Sequence, residues 1–361
     1  MPAGHASIEA RRHALRSLLA HADLSALLVT KPVNVRYLTG FSGSYGAVLL
    51  LHDRTLFFTD RRYEQQAAAE VPGAEVVLAP GDLIGGVAGV LRAAGDGLGF
   101  EPAGLTWGDG QRLRASVPGS AVVPAPPLVE DLREVKDERE VAVMREAARL
   151  GSEALTEVLE GLGPGVTERQ VAVDLELAMR RLGGDGLAFD TIVAFGEHAA
   201  EPHHHPDGRQ LAPGDFVKLD FGARVDGYCS DMTRTVVFGR ASRRQREVYE
   251  VVRRAQAAGL ASLRAGVPVA EVDRTCRDTI AQAGLGEAFA HPTGHGVGLE
   301  IHEAPRLRPG APGRIDAGTP VTVEPGVYLP GFGGVRIEDL AVVRPDGYEL
   351  LTTAPKELLE L

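Results

Sequence analysis

Apolar positions change their spacing along this chain of 361 residues. Leu15, Leu18 and Leu19 mark one face of an amphipathic opening helix. Short apolar runs follow at Ala26–Thr30, Gly46–Leu51, Thr55–Thr59 and Glu75–Leu78, each the length of a strand. Between Asp82 and Ala94, the positions Leu83, Val87, Val90 and Leu91 have helical spacing. Strands alternating with helices predict an α/β domain on a mixed sheet. The run Pro124-Ala125-Pro126-Pro127 reads as a linker, because each proline disfavours helix in the residue before it. It divides the chain into expected domains at 1–127 and 128–361.

Beyond that point the pattern is helical. Val141, Met144, Ala148, Leu155 and Leu159 share one face of a long helix, which Gly163-Pro164-Gly165 ends. Thr167 and Gln170 form a capping box for a second helix carrying Val171, Leu175, Ala178 and Leu182. The pattern then repeats. Leu162-x-x-Gly165-Val166 and Leu263-x-x-Gly266-Val267 lie 101 residues apart, as do Gly183 and Gly284. Gly214 to Asp220 resembles Gly318 to Glu324 at a spacing of 104: a turn glycine, an apolar strand and a terminal carboxylate. The repeat predicts a pseudo-twofold domain of two helix–helix–strand halves.

That symmetry changes the meaning of the carboxylates. In LDFGARVDGYCSDMTRT, Asp220 ends a strand, Asp226-Gly227 turns the chain, and Asp231 lies on the return. Glu324 occupies the place of Asp220 in the second half. Glu338 follows a turn rich in glycine (Gly331, Gly333, Gly334). Two hairpins related by a twofold would converge four carboxylates on one point, which an interior tolerates only around cations. His295, flanked by Gly294 and Gly296, adds an imidazole. A set rich in oxygen favours Mn²⁺, with Zn²⁺ or Co²⁺ as alternatives. Two such ions that share a water lower its pKa and make a hydroxide nucleophile at neutral pH. No Gly-x-Ser-x-Gly nucleophile motif is present.

Composition narrows the reading further. Hydrophobic residues make up 44% and charged residues 24%, as in a globular protein. A net charge of -11 argues against nucleic acid as a partner. Two cysteines, far apart in sequence, argue against a disulfide framework and fit a cytoplasmic protein. No apolar run approaches the roughly 20 residues of a membrane span, and the N-terminus has no apolar core of a signal peptide.

The stretches LDFGARVDGYCSDMTRT, HPTGHGVGLEIHE, VEPGVY and GVRIEDL resemble the pita-bread metallopeptidases of the Xaa-Pro group, aminopeptidase P and prolidase. NVRYLTGF and FFTDRRYE resemble the creatinase-like N-terminal domain of that group. The resemblance implies that Asp220 chelates one metal, that Asp231 and Glu338 bridge two, and that His295 and Glu324 bind the other. It implies that Glu324 shuttles a proton, that His203 and His302 hold the scissile carbonyl, and that His291 is a further cleft histidine. Tyr328 and Arg336 match positions near the proline pocket and the bridging glutamate, and Arg306 matches an arginine that in prolidases is placed to bind the substrate's C-terminal carboxylate. The expected substrates are proline-containing peptides and the expected assembly is a homodimer. Sequence places an Xaa-Pro aminopeptidase first and an Xaa-Pro dipeptidase second. A pita-bread binding module without catalysis is the reading from another class, and the intact ligand set argues against it.

Overall fold

The computed structural model describes residues 5–79, 81–91, 97–117 and 122–361. The chain divides into two compact units, Met1–Arg133 and Glu134–Leu361.

The first unit runs α1 (His5–His21), β1 (Ala26–Val29), α2 (Pro32–Thr39), β2 (Ala47–Leu51), β3 (Thr55–Thr59), α3 (Glu64–Glu70), β4 (Glu75–Leu78), α4 (Leu83–Leu91), β5 (Leu98–Phe100), α5 (Trp107–Ser116), β6 (Val122–Pro124) and α6 (Leu128–Glu134). Six strands form one sheet in the order β4-β3-β2-β1-β5-β6. β1–β2 and β2–β3 are antiparallel, and β3–β4, β1–β5 and β5–β6 are parallel, so the sheet is mixed. The end of the helix expected over 82–94 lies outside the described residues, as do residues 1–4 at the head of the chain.

The proline run is not a free linker. Val122–Pro124 forms the edge strand β6, where a proline removes no bond the sheet needs. Helix α6 also stays with this unit: Leu128 and Val129 are buried, and Arg133 Nη1 donates to Asn34 Oδ1 at 2.6 Å. The compact unit therefore extends past the expected boundary at 127.

The second unit is built twice over. The first half contains α7 (Glu138–Glu160), α8 (Glu168–Arg181), β7 (Gly186–Leu187), β8 (Ile192–Phe195), β9 (Phe216–Phe221), β10 (Ala223–Val225), β11 (Tyr228–Cys229) and β12 (Met232–Val237). The second contains α9 (Arg243–Ser262), α10 (Val269–Gln282), β13 (Gly294–Gly296), β14 (Glu303–Leu307), β15 (Pro320–Val323), β16 (Gly326–Leu329), β17 (Gly333–Arg336), β18 (Asp339–Arg344) and β19 (Gly347–Leu350). The capping box of Thr167 and Gln170 opens α8 as its sequence requires. Glycines at matching places share a left-handed backbone: Gly165 and Gly266 (φ 84° and 80°), and Gly214 and Gly318 (both 92°).

Two hydrophobic cores form, one centred on each half, with Phe216 and Val237 of the first half joining the second core. Leu155, Val171, Leu175, Leu219 and Phe221 pack in the first, and Val252, Val272, Ile280, Val321 and Val343 in the second. Strands β12-β9-β8 form one sheet and β14-β13-β15-β18-β19 another. Between β9 and β12 the chain makes a short ribbon, β10–β11. Between β15 and β18 it makes another, β16–β17. The glycine-rich turn before Glu338 thus closes this inserted ribbon, and the strand that returns along β15 is β18.

Candidate metal centre

The inserted ribbons explain how four carboxylates converge. Asp220 lies near the end of β9, paired with Thr233 on one side and Ile192 on the other. The ribbon then turns at Asp226-Gly227, with φ 46° and 81°, the left-handed pair that a tight hairpin needs. Asp231 follows, immediately before β12. In the second half Glu324 directly follows β15, and Glu338 directly precedes β18. Each half therefore brings one carboxylate where the ribbon leaves the sheet and one where it rejoins. Gly222 makes the return possible: a Cβ there would stand 1.9 Å from the Ser230 carbonyl oxygen.

His295 comes from the middle of β13, where the pairing with β14 shifts register. Its Nδ1 lies 3.0 Å from its neighbour Gly296's carbonyl oxygen, which can only accept, so Nδ1 carries the proton. Nε2 is then a lone pair. It faces Asp231 Oδ2 at 3.5 Å and Glu324 Oε1 at 3.3 Å, both acceptors. Donor atoms of Asp231, His295 and Glu338 all lie within 4.8 Å of one another. Asp220 Oδ1 is buried without a hydrogen-bond partner. Lone pairs facing lone pairs in a buried place fit divalent cations and little else.

The proton affinities agree. Burial, then the neighbouring carboxylates, pushes Asp231 and Glu338 well above the usual carboxylate range. Burial raises Glu324 to about 7, against the pull of Arg336. Burial also lowers His295 to about 3, leaving its imidazole neutral and available as a ligand.

Arg336 ties the cluster together. Its Nη2 donates to Asp220 Oδ2, its Nε to Thr233 Oγ1 at 2.9 Å, and its Nη1 to Tyr328 Oη at 2.9 Å and the Pro202 carbonyl at 3.1 Å. Tyr328 Oη lies 2.8 Å from His291 Nε2, and His291 Nδ1 faces the Pro292 carbonyl at 2.7 Å. Tyr328 is thus occupied in a bridge from Arg336 to His291, and it is not among the residues that line the cleft.

That cleft has a volume of about 480 Å³ and is lined by the five expected ligands with His203, His291, His302, Arg306 and Arg336. His302 packs edge-on against His295, ring centroids 4.4 Å apart. Arg306 stands opposite His295 in the β13–β14 pairing and has no salt-bridge partner among the described residues. Of three adjacent histidines, His203 is exposed and close enough to His291 and His302 to influence both, whereas His204 is buried against Glu168.

Residues 142–345 match metallopeptidase family M24, and residues 11–135 match the creatinase/prolidase N-terminal domain. The chain belongs to metallopeptidase family M24. It is 40% identical to a solved Xaa-Pro dipeptidase from Bacillus anthracis, over 98% of this chain and 100% of that one, with a TM-score of 0.95. It is 32% identical to an X-Pro aminopeptidase from Thermotoga maritima MSB8, over 94% and 98%, with a TM-score of 0.89. A relative named Xaa-Pro dipeptidase from Pyrococcus horikoshii is 33% identical over 93% of this chain and 95% of its own length. This M24 chain is a metal-dependent peptidase of the Xaa-Pro group with the two-domain architecture of its relatives. No helix among its described residues is long and apolar enough to cross a membrane.

Sequence reasoning missed the side chains that hold the ligands in place. Thr233 Oγ1 donates to Glu338 Oε2 at 2.6 Å, and Thr322 Oγ1 donates to Glu324 Oε1 at 3.2 Å. Thr322 Oγ1 also accepts the His295 backbone N–H at 3.0 Å. Thr233 lies two residues after Asp231 and Thr322 two before Glu324, a spacing that alternation could have flagged.

Proposed function

We propose that this protein is an Xaa-Pro dipeptidase whose two divalent ions, Mn²⁺ by the hardness of the donor set, are held by Asp220, Asp231, His295, Glu324 and Glu338. The observation that carries the metal reading is the neutral His295 Nε2 facing two carboxylates beside the unpartnered Asp220 Oδ1. Bound there, the ions would supply Lewis acidity and lower the pKa of a water.

The chain's own residues do the rest. Glu324, which lines the cleft beside His295 Nε2, would take a proton from the attacking water and return it to the departing proline nitrogen. His203 and His302 stand at the open side of the cleft, where they would donate to the carbonyl oxygen as it gains charge. Arg336 offsets the carboxylate charge and holds Asp220 in place. Arg306 is the cation left for a substrate's own C-terminal carboxylate.

Arg306 and the names of two relatives, at 40% and 33% identity, reverse the order of preference that the sequence alone suggested. The second reading, an Xaa-Pro aminopeptidase, is favoured by the Thermotoga relative. Hydrolysis of Ala-Pro, Ala-Pro-Ala and a longer Ala-Pro peptide separates them, after chelation and restoration with Mn²⁺. The dipeptidase reading expects Ala-Pro to be cleaved far faster than the others. Preference for the longer peptides would replace it with the aminopeptidase. No metal-dependent cleavage of any of them would remove both.

A further inference from the structure

A second group of titratable side chains meets at the start of α8, away from the carboxylate cluster. Glu168 is fully buried there. Its Oε1 accepts the Phe195 N–H at 2.8 Å and faces His198 Nδ1 at 2.9 Å. Its Oε2 accepts the Asp207 N–H at 3.1 Å and faces His204 Nε2 at 2.8 Å. The other ring nitrogen of His204, Nδ1, lies 2.6 Å from Glu201 Oε2. A carboxylate oxygen therefore stands at both nitrogens of one ring.

A neutral imidazole donates from one nitrogen only, and its second lone pair would then oppose a carboxylate lone pair. Both contacts are attractive only when both nitrogens carry hydrogen. Burial works against that charge, but the bonds to Glu201 and Glu168 outweigh it and raise His204 above the usual histidine range. The charged and titratable groups around this ring are Glu168 from α8, Glu201 and Asp207 from its own loop, and His198, whose ring centroid is 4.4 Å away. Lys218 of β9 reaches the same loop, donating to the carbonyls of Ala199 (3.2 Å) and Glu201.

The position of this ring in the chain gives it a use. The loop carrying His203 is pinned before that residue, through the carbonyls of Ala199, Glu201 and Pro202, to Lys218 and Arg336. After His203 the next anchor is His204, clamped to α8. We propose that His204 is a positioning residue: as an imidazolium held between Glu168 and Glu201, it fixes the loop so that His203 faces the cleft. This rests on the reading of His203 as a group that contacts substrate.

A metal ion is the competing explanation, since donor atoms of Glu168, His198, His204 and Asp207 lie within 4.8 Å of one another. Two features favour the imidazolium. Each Glu168 oxygen already accepts a backbone N–H, and an ion would replace the contact that His204 makes with Glu168.

The test uses the Mn²⁺-loaded full chain and Ala-Pro. His204→Ala should lower kcat by about tenfold, with KM changed less than about twofold, and with the metal content of the unaltered protein. Glu201→Gln alters a side chain that is 62% exposed, so it should fold. Removing one charged partner lowers the His204 pKa, so the alkaline limb of the kcat profile should move to lower pH. The direction follows from linkage: a group whose pKa is raised by its partners makes its contribution below that pKa and loses it as pH rises through it. His203→Ala is the control. If it lowers kcat while His204→Ala and Glu201→Gln leave kcat and the alkaline limb unmoved, the positioning role is overturned alone. If His203→Ala keeps full kcat, the reading of His203 falls and this inference with it. Loss of a metal equivalent in His204→Ala would overturn the imidazolium in favour of an ion.

Discussion

Thr233 Oγ1 donates to Glu338 Oε2 at 2.6 Å, so a hydroxyl from the first half of the catalytic unit orients a carboxylate of the second. The same oxygen accepts from Arg336 Nε at 2.9 Å, and Thr233 is fully buried. Thr233→Val keeps the volume and removes both bonds. It should weaken Mn²⁺ binding by roughly 10–100-fold, as loss of outer-sphere support does. Titration of metal into the chelated protein measures it, and an unchanged affinity would remove Thr233 from the support of the centre.

Asp231 and Glu338 occupy equivalent places, each just before the strand that follows a ribbon. Asp231→Ala or Glu338→Ala should abolish hydrolysis together with stoichiometric metal. His302→Ala should keep metal and lower kcat by roughly 10²-fold, in the range of a lost donor to a developing oxyanion. Elemental analysis beside kinetics distinguishes them; loss of metal from the His302 variant as complete as from Asp231→Ala would place His302 among the ligands.

Without cations the carboxylates must keep protons. Burial and mutual repulsion raise Asp231 and Glu338, and burial raises Glu324 to about 7. A carboxyl raised in the fold stabilises it at pH values below its unfolded pKa, about 4, and that contribution is lost as pH rises through the folded value. The chelated protein should therefore lose Tm as pH rises from about 5 to about 8. The Mn²⁺-loaded protein should not. Calorimetry across that range checks the sign, and a gap between the two forms that narrows with pH would contradict it.

Arg306→Ala should raise KM for Ala-Pro by roughly 10–100-fold, the loss of one charge-assisted contact of about 1.5–3 kcal/mol. Ala-Pro-amide, which has no terminal carboxylate, should be insensitive to the change. Equal effects on both would make Arg306 a part of the scaffold.

The local signals in the sequence were the durable ones. Asp226-Gly227 turns a hairpin because both residues accept left-handed backbone, and Gly165 and Gly266 recur because both helix connections need it. The duplicated halves and the four converging carboxylates follow from such local rules applied twice. What escaped was long-range or permissive. Pro124 looked like a linker residue, yet an edge strand tolerates it. The inserted ribbons were hidden because a strand returning along β15 and a ribbon beside it have the same alternation. His204 meets Glu168 across 36 positions, and no periodicity links them.

The close approach of backbones around the ligands has a further effect. A Cβ on Gly294 would stand 2.0 Å from the Thr322 carbonyl oxygen, and one on Gly296 1.9 Å from that of Ala304. With Gly222 against the Ser230 carbonyl, three of the backbone approaches beside His295 and Asp231 leave no room for a Cβ. These positions are closed to gradual adjustment. A lineage seeking a different ion would have to work through the supports of the ligands, such as Thr233 and Thr322, where a single hydroxyl can be gained or given up without moving a strand.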